Sequence, residues 1–245
     1  MSGHSHWSSI KHKKEITDAK KSKNFSKLSH LISVSAREGG KDMNFNPRLK
    51  MAVDKARSFN VPAEKIERAI KKGTGEIKGM ILEEITYEAY GPGGVAIIIE
   101  AITDNKNRSL GNIKQFLAQG GGKLANEGSV KWMFERKGCI VLQITDQHEH
   151  ANKDKDEWEL LVIESGAEDI DWDDQSLSVY VKVEDLEKTR KGLESKNIKI
   201  ESASLDWVAK EKIELEEKEN EKCQKLFEAL DDDDMVQDIY SNLSN

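Results

Sequence analysis

Apolar residues keep helical spacing up to Gly73-Thr74-Gly75 and first take up a period of two beyond it, and this confines the chain to an architecture with helices first and mixed sheet and helix afterwards. Before the change, Ile16, Ala19, Phe25, Leu28, Leu31 and Ile32 recur at helical spacing, predicting a helix that ends at the C-cap signal Gly39-Gly40. Asn46 is placed to cap a second helix with Pro47 in its first turn, and Leu49, Ala52, Val53, Ala56 and Phe59 form its inner stripe. Pro62 opens a third, with Ala63, Ile66, Ala69 and Ile70 inward and Gly73 at its end. Three helices with short connections predict a small bundle, preceded by an extended arm over residues 1–12.

Beyond a polar stretch reaching Gly79 the period becomes two. Residues 84–90 alternate, Gly91-Pro92-Gly93-Gly94 is a turn, and Val95 to Ile102 is a β-branched run of central-strand character. A helix follows over Asn107 to Leu117, then strand-like residues 130–134. Residues 138–204 read as strand, helix, strand, strand, helix, strand, the βαββαβ order of ferredoxin-like domains. The remaining strand, helix and strand, from Trp207 to Tyr240, complete the fold begun at residues 84–134. The expected fold is therefore α+β with three domains. A helical domain spans 1–78, a discontinuous α+β domain spans 79–136 with 205–245, and a βαββαβ domain, 137–204, is inserted in it.

Charge is divided just as unevenly. Residues 1–75 hold 17 Lys+Arg against 7 Asp+Glu, whereas the whole chain has a net charge of −7. A basic module followed by an acidic body points to a polyanionic partner, RNA or DNA. Lys13, Lys20, Lys23 and Lys27 stack on one face of the first helix, with Lys11, Lys14 and Lys21 beside them. Arg48 and Lys55, and Lys50 and Arg57, repeat a seven-residue spacing, and Arg68 and Lys72 lie one turn apart. These cations are the candidate nucleic-acid contacts, since backbone binding needs Lys or Arg at several points along a surface. Glu64 with Arg68 and Glu67 with Lys71 are spaced as four-residue ion pairs, so the third helix is expected to be partly self-neutralised. The first helix has only Glu15 and Asp18, and its lysines are expected to meet an external anion. Trp7 lies close enough in sequence to stack on a base, while Phe25 is expected in the core.

Other chemistry finds little support. Cys139 and Cys223 form no disulfide framework or metal motif, and are expected as reduced thiols. His4, His6 and His12 lack a carboxylate or thiolate at zinc-ligand spacing. The glycine clusters at 91–94 and 120–122 match neither a P-loop nor a dinucleotide fingerprint. Residues 103–108 lie between a strand and a helix and are explained by capping, with anion contact by Lys106 or Arg108 a weaker reading. Asp231 to Asp234 reads as a solvated helix end. No catalytic constellation stands out, so neither an enzyme, a cofactor nor a small-molecule substrate is expected. No apolar run spans a membrane, and the polar N-terminus carries no signal core; a cytoplasmic protein is expected.

The motifs also carry a resemblance. Gly3-His4-Ser5 with Trp7, Ala36-Arg37-Glu38-Gly39-Gly40, Asn46-Pro47-Arg48-Leu49, Tyr90-Gly91-Pro92-Gly93-Gly94, Thr103-Asp104-Asn105 with Asn107-Arg108, and Gly128-Ser129-Val130 with Trp132-Met133-Phe134 follow one another as in the YebC/PmpR family. The match is collinear to about residue 138 and weaker beyond, apart from Asp234, Val236-Gln237 and Tyr240 near the end. The resemblance implies a helical domain and two mixed domains around a cleft, and a cytoplasmic regulator of gene expression. Family members are described as DNA-binding transcriptional regulators; others are translational activators, or act on ribosomes stalled at proline-rich sequences. His6 stands where the family usually has Lys, which implies a weaker or pH-sensitive arm.

Overall fold

The structure, a computed structural model, describes residues 18–144, 154–172 and 176–244, with side chains from Lys23 onward. The arm, with Trp7, the three early histidines, Lys11, Lys13, Lys14 and Ile16, lies outside the described residues. The chain divides into two compact units, one formed by residues 18–132 with 214–241 and the other by 133–213 with 242–244.

The first unit opens with the bundle: α1 (Asp18–Gly39), α2 (Pro47–Ser58) and α3 (Ala63–Gly73). Their inner stripes meet in one core that includes Leu28, Ile32, Leu49, Val53, Ala56 and Ile66. Ala63, expected inside, is exposed because it begins α3 before the helix turns its face to the core. Gly40 leaves α1 at φ +80° and its N–H closes on the Ala36 carbonyl at 2.9 Å, the left-handed helix end that glycine accepts without strain. Asn46 then anchors the turn. Its Oδ1 accepts the Leu49 N–H at 3.0 Å, while its Nδ2 donates to the carbonyls of Ser35 and Gly40, both at 2.8 Å. Asn46→Ala removes the cap and both anchors from a buried site, so a loss of about 2 kcal/mol is expected from urea unfolding.

The same unit contains a four-stranded sheet of order β3-β1-β2-β8, built from β1 (Glu83–Tyr90), β2 (Ala96–Thr103), β3 (Lys123–Leu124) and β8 (Val236–Ser241). All neighbours are antiparallel. β2 is central and buried along nearly all its length, as its run of isoleucines requires. α4 (Lys106–Gln119) and α7 (Glu217–Asp231) contribute Ile113, Leu117, Leu226, Phe227 and Leu230 to the core. α1 touches β2 and β8. The bundle and this sheet thus belong to one compact unit.

The second unit is β4 (Phe134–Gln143), α5 (Lys155–Glu164), β5 (Asp169–Trp172), β6 (Ser176–Val181), α6 (Leu186–Ser195) and β7 (Ile200–Ala209). Its order β5-β6-β4-β7, antiparallel throughout, is ferredoxin-like. The boundary expected at residue 204 falls inside β7. This strand continues to Ala209, which pairs with Phe134, so residues 205–209 belong to the sheet of 133–213 and do not return to the first one. The alternation that marks β7 has no break at 204, and only a connection could have shown one.

Candidate nucleic-acid interface

Of the cations singled out on the first helix, the two with described side chains are both engaged within the unit. Lys27 is buried, and its Nζ donates to Asp231 Oδ1 at 2.9 Å and to the Asp231 carbonyl at 2.6 Å. It therefore satisfies a carbonyl in the last turn of α7, where the helix dipole also favours a cation. Lys23 pairs with Asp232 at 3.2 Å. The expectation that these lysines await an external anion is corrected at Lys27, whereas Lys23 stays 40% exposed in a surface pair. The acid run 231–234 is not merely a solvated helix end either, since Asp233 accepts Asn112 Nδ2 at 2.9 Å and the Met235 N–H at 2.8 Å. Lys20 and Lys21 lie in the first turn of α1, before the described side chains begin.

On α2, Arg48 is held between Glu38 and Glu84, Arg57 lies 3.6 Å from Asp54, and Lys55 reaches Asp238 at 4.0 Å. Arg48 and Lys55 thus tie the bundle to β1 and β8. Lys50 makes no ion pair among the described residues. The loop cations Lys106 and Arg108 are paired with Glu83 and Asp104, both at 2.6 Å, and Asn105 Oδ1 caps α4 by accepting the Arg108 N–H at 3.1 Å.

α3 behaves in the opposite way. Neither Glu64 with Arg68 nor Glu67 with Lys71 closes to an ion pair, although their spacing permits it. Exposed pairs of this kind gain little and lose side-chain freedom on closing. Arg68, Lys71 and Lys72 are exposed on the last two turns and point away from the buried Ile66 and Ala69. Lys65 lies on the same helix, with its ammonium 5.3 Å from the centre of the Phe25 ring. Lys71, outside the candidate contacts read from the sequence, is exposed beside Arg68 and Lys72.

His30, on α1, marks where bundle and sheet electrostatics meet. Burial pushes its pKa down, Asp234 and Asp104 oppose this, and Lys72 adds to it. Its Nδ1 is buried without a hydrogen-bond partner. Acidic side chains from β1, β8, α7 and the turn after α7 therefore neutralise one side of the bundle, while the end of α3 keeps its positive charge.

Among the described residues no group of His, Cys, Asp and Glu is placed to hold a metal ion, and no helix is long and apolar enough to cross a membrane. Both cysteines are buried thiols, and burial pushes Cys223 up to about 11.

Comparison with known proteins accounts for nearly the whole chain. Residues 5–76 match the family model described as the TACO1/YebC protein N-terminal domain, and residues 82–243 match the TACO1/YebC second and third domain. A probable transcriptional regulatory protein of Prosthecochloris aestuarii is 46% identical over 245 residues, covering 99% of this chain and 95% of the relative. One of the same description from Halothermothrix orenii is 44% identical over 243 residues, covering 99% and 94%. The crystal structure of a conserved hypothetical protein from Aquifex aeolicus superimposes with a TM-score of 0.86 at 38% identity, covering 96% of this chain and 95% of that one. These family and relative names are those of a regulatory protein and not of an enzyme.

Proposed function

The chain belongs to the TACO1/YebC family, and from that premise we propose that it is a nucleic-acid-binding regulator of gene expression that grips a phosphate backbone through the outer face of α3. The observation that carries this reading is the exposed cluster Arg68, Lys71 and Lys72, none of which closes an ion pair among the described residues, in a bundle whose other described cations are largely engaged by acids of the same unit. Two of these cations also suit the negative end of the helix dipole, but a dipole does not need three. Relatives described as probable transcriptional regulatory proteins favour duplex DNA as the target. A second reading, a factor that binds ribosomal RNA and acts in translation, is favoured by the acidity of the remainder. Residues 76–245 hold 21 Lys+Arg against 38 Asp+Glu and would be repelled by a long naked duplex.

The test is a salt series on the parent and the triple variant Arg68→Gln, Lys71→Gln, Lys72→Gln, run in parallel on promoter duplexes and on ribosomes. Each lost phosphate contact lowers the slope of log K against log salt by about 0.9 on a duplex. The triple variant is therefore expected to lose between two and three units of slope (roughly 0.9 per contact), with its helical content intact. An unchanged slope on both targets would reject the α3 surface. Selective duplex binding that survives high salt would reject the translation reading.

A further inference from the structure

A second surface in the same unit has the construction of a base-stacking platform. Trp132 is 67% exposed, an unusual position for the largest apolar side chain. It is also fixed. Its indole Nε1 donates to the Ser129 carbonyl at 3.0 Å, and the Tyr90 hydroxyl donates to that same oxygen at 3.1 Å. Two aromatic rings from different segments are thus pinned to one atom. The loop bearing that atom is itself held by a buried carboxylate. Glu88 accepts the N–H groups of Gly128 at 2.6 Å, Val130 at 2.5 Å and Lys131 at 2.8 Å. Gly128, at φ +82°, supplies the left-handed turn that lets these N–H groups converge. Such bracing removes the conformational entropy that a flexible tryptophan would lose on binding.

We propose that Trp132, with Tyr90 beside it, stacks an unpaired base of a single-stranded nucleic acid. Every base has a π face, and aromatic platforms flanked by cations are the common means of holding single strands. Lys123, 5.9 Å from the centre of the Tyr90 ring, and the exposed Lys131 supply positive charge for the adjoining phosphates. Glu127 is exposed in the same loop, while the charge of Glu88 is turned inward to the backbone. This site does not depend on the α3 surface, because its energy comes from stacking more than from charge.

The test is fluorescence anisotropy of the full chain with labelled oligo(A) and oligo(U) RNA, oligo(dA), and a blunt duplex, all of about a dozen nucleotides. Trp132→Ala should weaken single-strand binding roughly tenfold, leave duplex binding and the salt slope unchanged, and be largely rescued by Trp132→Phe. Glu88→Gln, which keeps both rings and loosens the loop, should lose affinity in the same direction. Equal losses on RNA and DNA strands assign the platform to bases of either kind; a loss confined to RNA assigns it to RNA. The inference is overturned if the parent binds no single strand, if Trp132→Ala binds them as the parent does, or if it weakens duplex and single strands alike. It is also overturned if the sole effect is loss of self-association in sedimentation velocity, which would make Trp132 a protein contact. The α3 triple variant lowers the salt slope on every polyanion, so the two surfaces fail separately.

Discussion

Replacing Lys27 by methionine is expected to destabilise the unit containing the bundle by about 3–5 kcal/mol, the usual cost of removing one partner from a buried ion pair. The side chains of Lys27 and Asp231 are only 9% and 17% exposed. Methionine fills similar space, but the Asp231 carboxylate and the helix-end carbonyl both lose this donor. The measurement is urea unfolding followed by helical circular dichroism, with hydrogen exchange at the end of α7 to localise the change. Adding Asp231→Asn to the variant should recover part of the loss, since it removes the uncompensated charge and leaves the carbonyl unmet. If Lys27 were instead a phosphate ligand, the substitution would weaken polyanion binding and leave the urea midpoint unmoved. The neighbouring Lys23–Asp232 pair is a useful control: at 40% and 62% side-chain exposure it should matter little.

This contrast explains what was legible in the sequence. Features set by local spacing were readable: the change of period after Gly73, the Asn46-Pro47 helix start, and the βαββαβ order of the second unit. Contacts between distant segments were not. Lys27 and Asp231 are separated by 204 positions, and nothing near Lys27 announces a partner. Local spacing even misled on α3, where Glu67 and Lys71 stand at pairing distance along the helix and remain apart. Charge read as available on α1 is at Lys27 spent inside the unit, whereas α3, read as partly self-neutralised, keeps Arg68, Lys71 and Lys72 at the surface.

Glu88 was hidden for a related reason. In an alternating strand it belongs to the polar face, and β1 does begin that way. At Tyr87, Glu88 and Ala89, however, three successive residues are buried, because the loop after β3 covers the face that would otherwise meet solvent. Period-two reasoning assumes one wet face, and it fails wherever another segment lies across the sheet. The motif Gly128-Ser129-Val130 was recognised only as a resemblance; its physical role is to turn three N–H groups onto a carboxylate some 40 positions earlier.

Glu88→Gln is expected to cost about 3 kcal/mol, because charge-assisted bonds from three buried or half-buried N–H groups are replaced by an amide that can accept at one oxygen only. Hydrogen exchange should localise the effect, with protection lost first at Gly128, Val130 and Lys131. The pH dependence has a defined sign. Burial raises the Glu88 pKa, but the three N–H groups and the Lys131 charge outweigh it and hold the carboxyl below its ordinary value. A carboxylate with a depressed pKa contributes stability above its unfolded value, about 4.3, and loses it as pH falls through the lower folded value. The parent's loop should therefore stay protected at neutral pH and open under acid below pH ~4, whereas Glu88→Gln should be open at both and lack that acid step. A parent loop whose protection does not change on acidification would mean that the carboxylate charge is not what holds Trp132 in place.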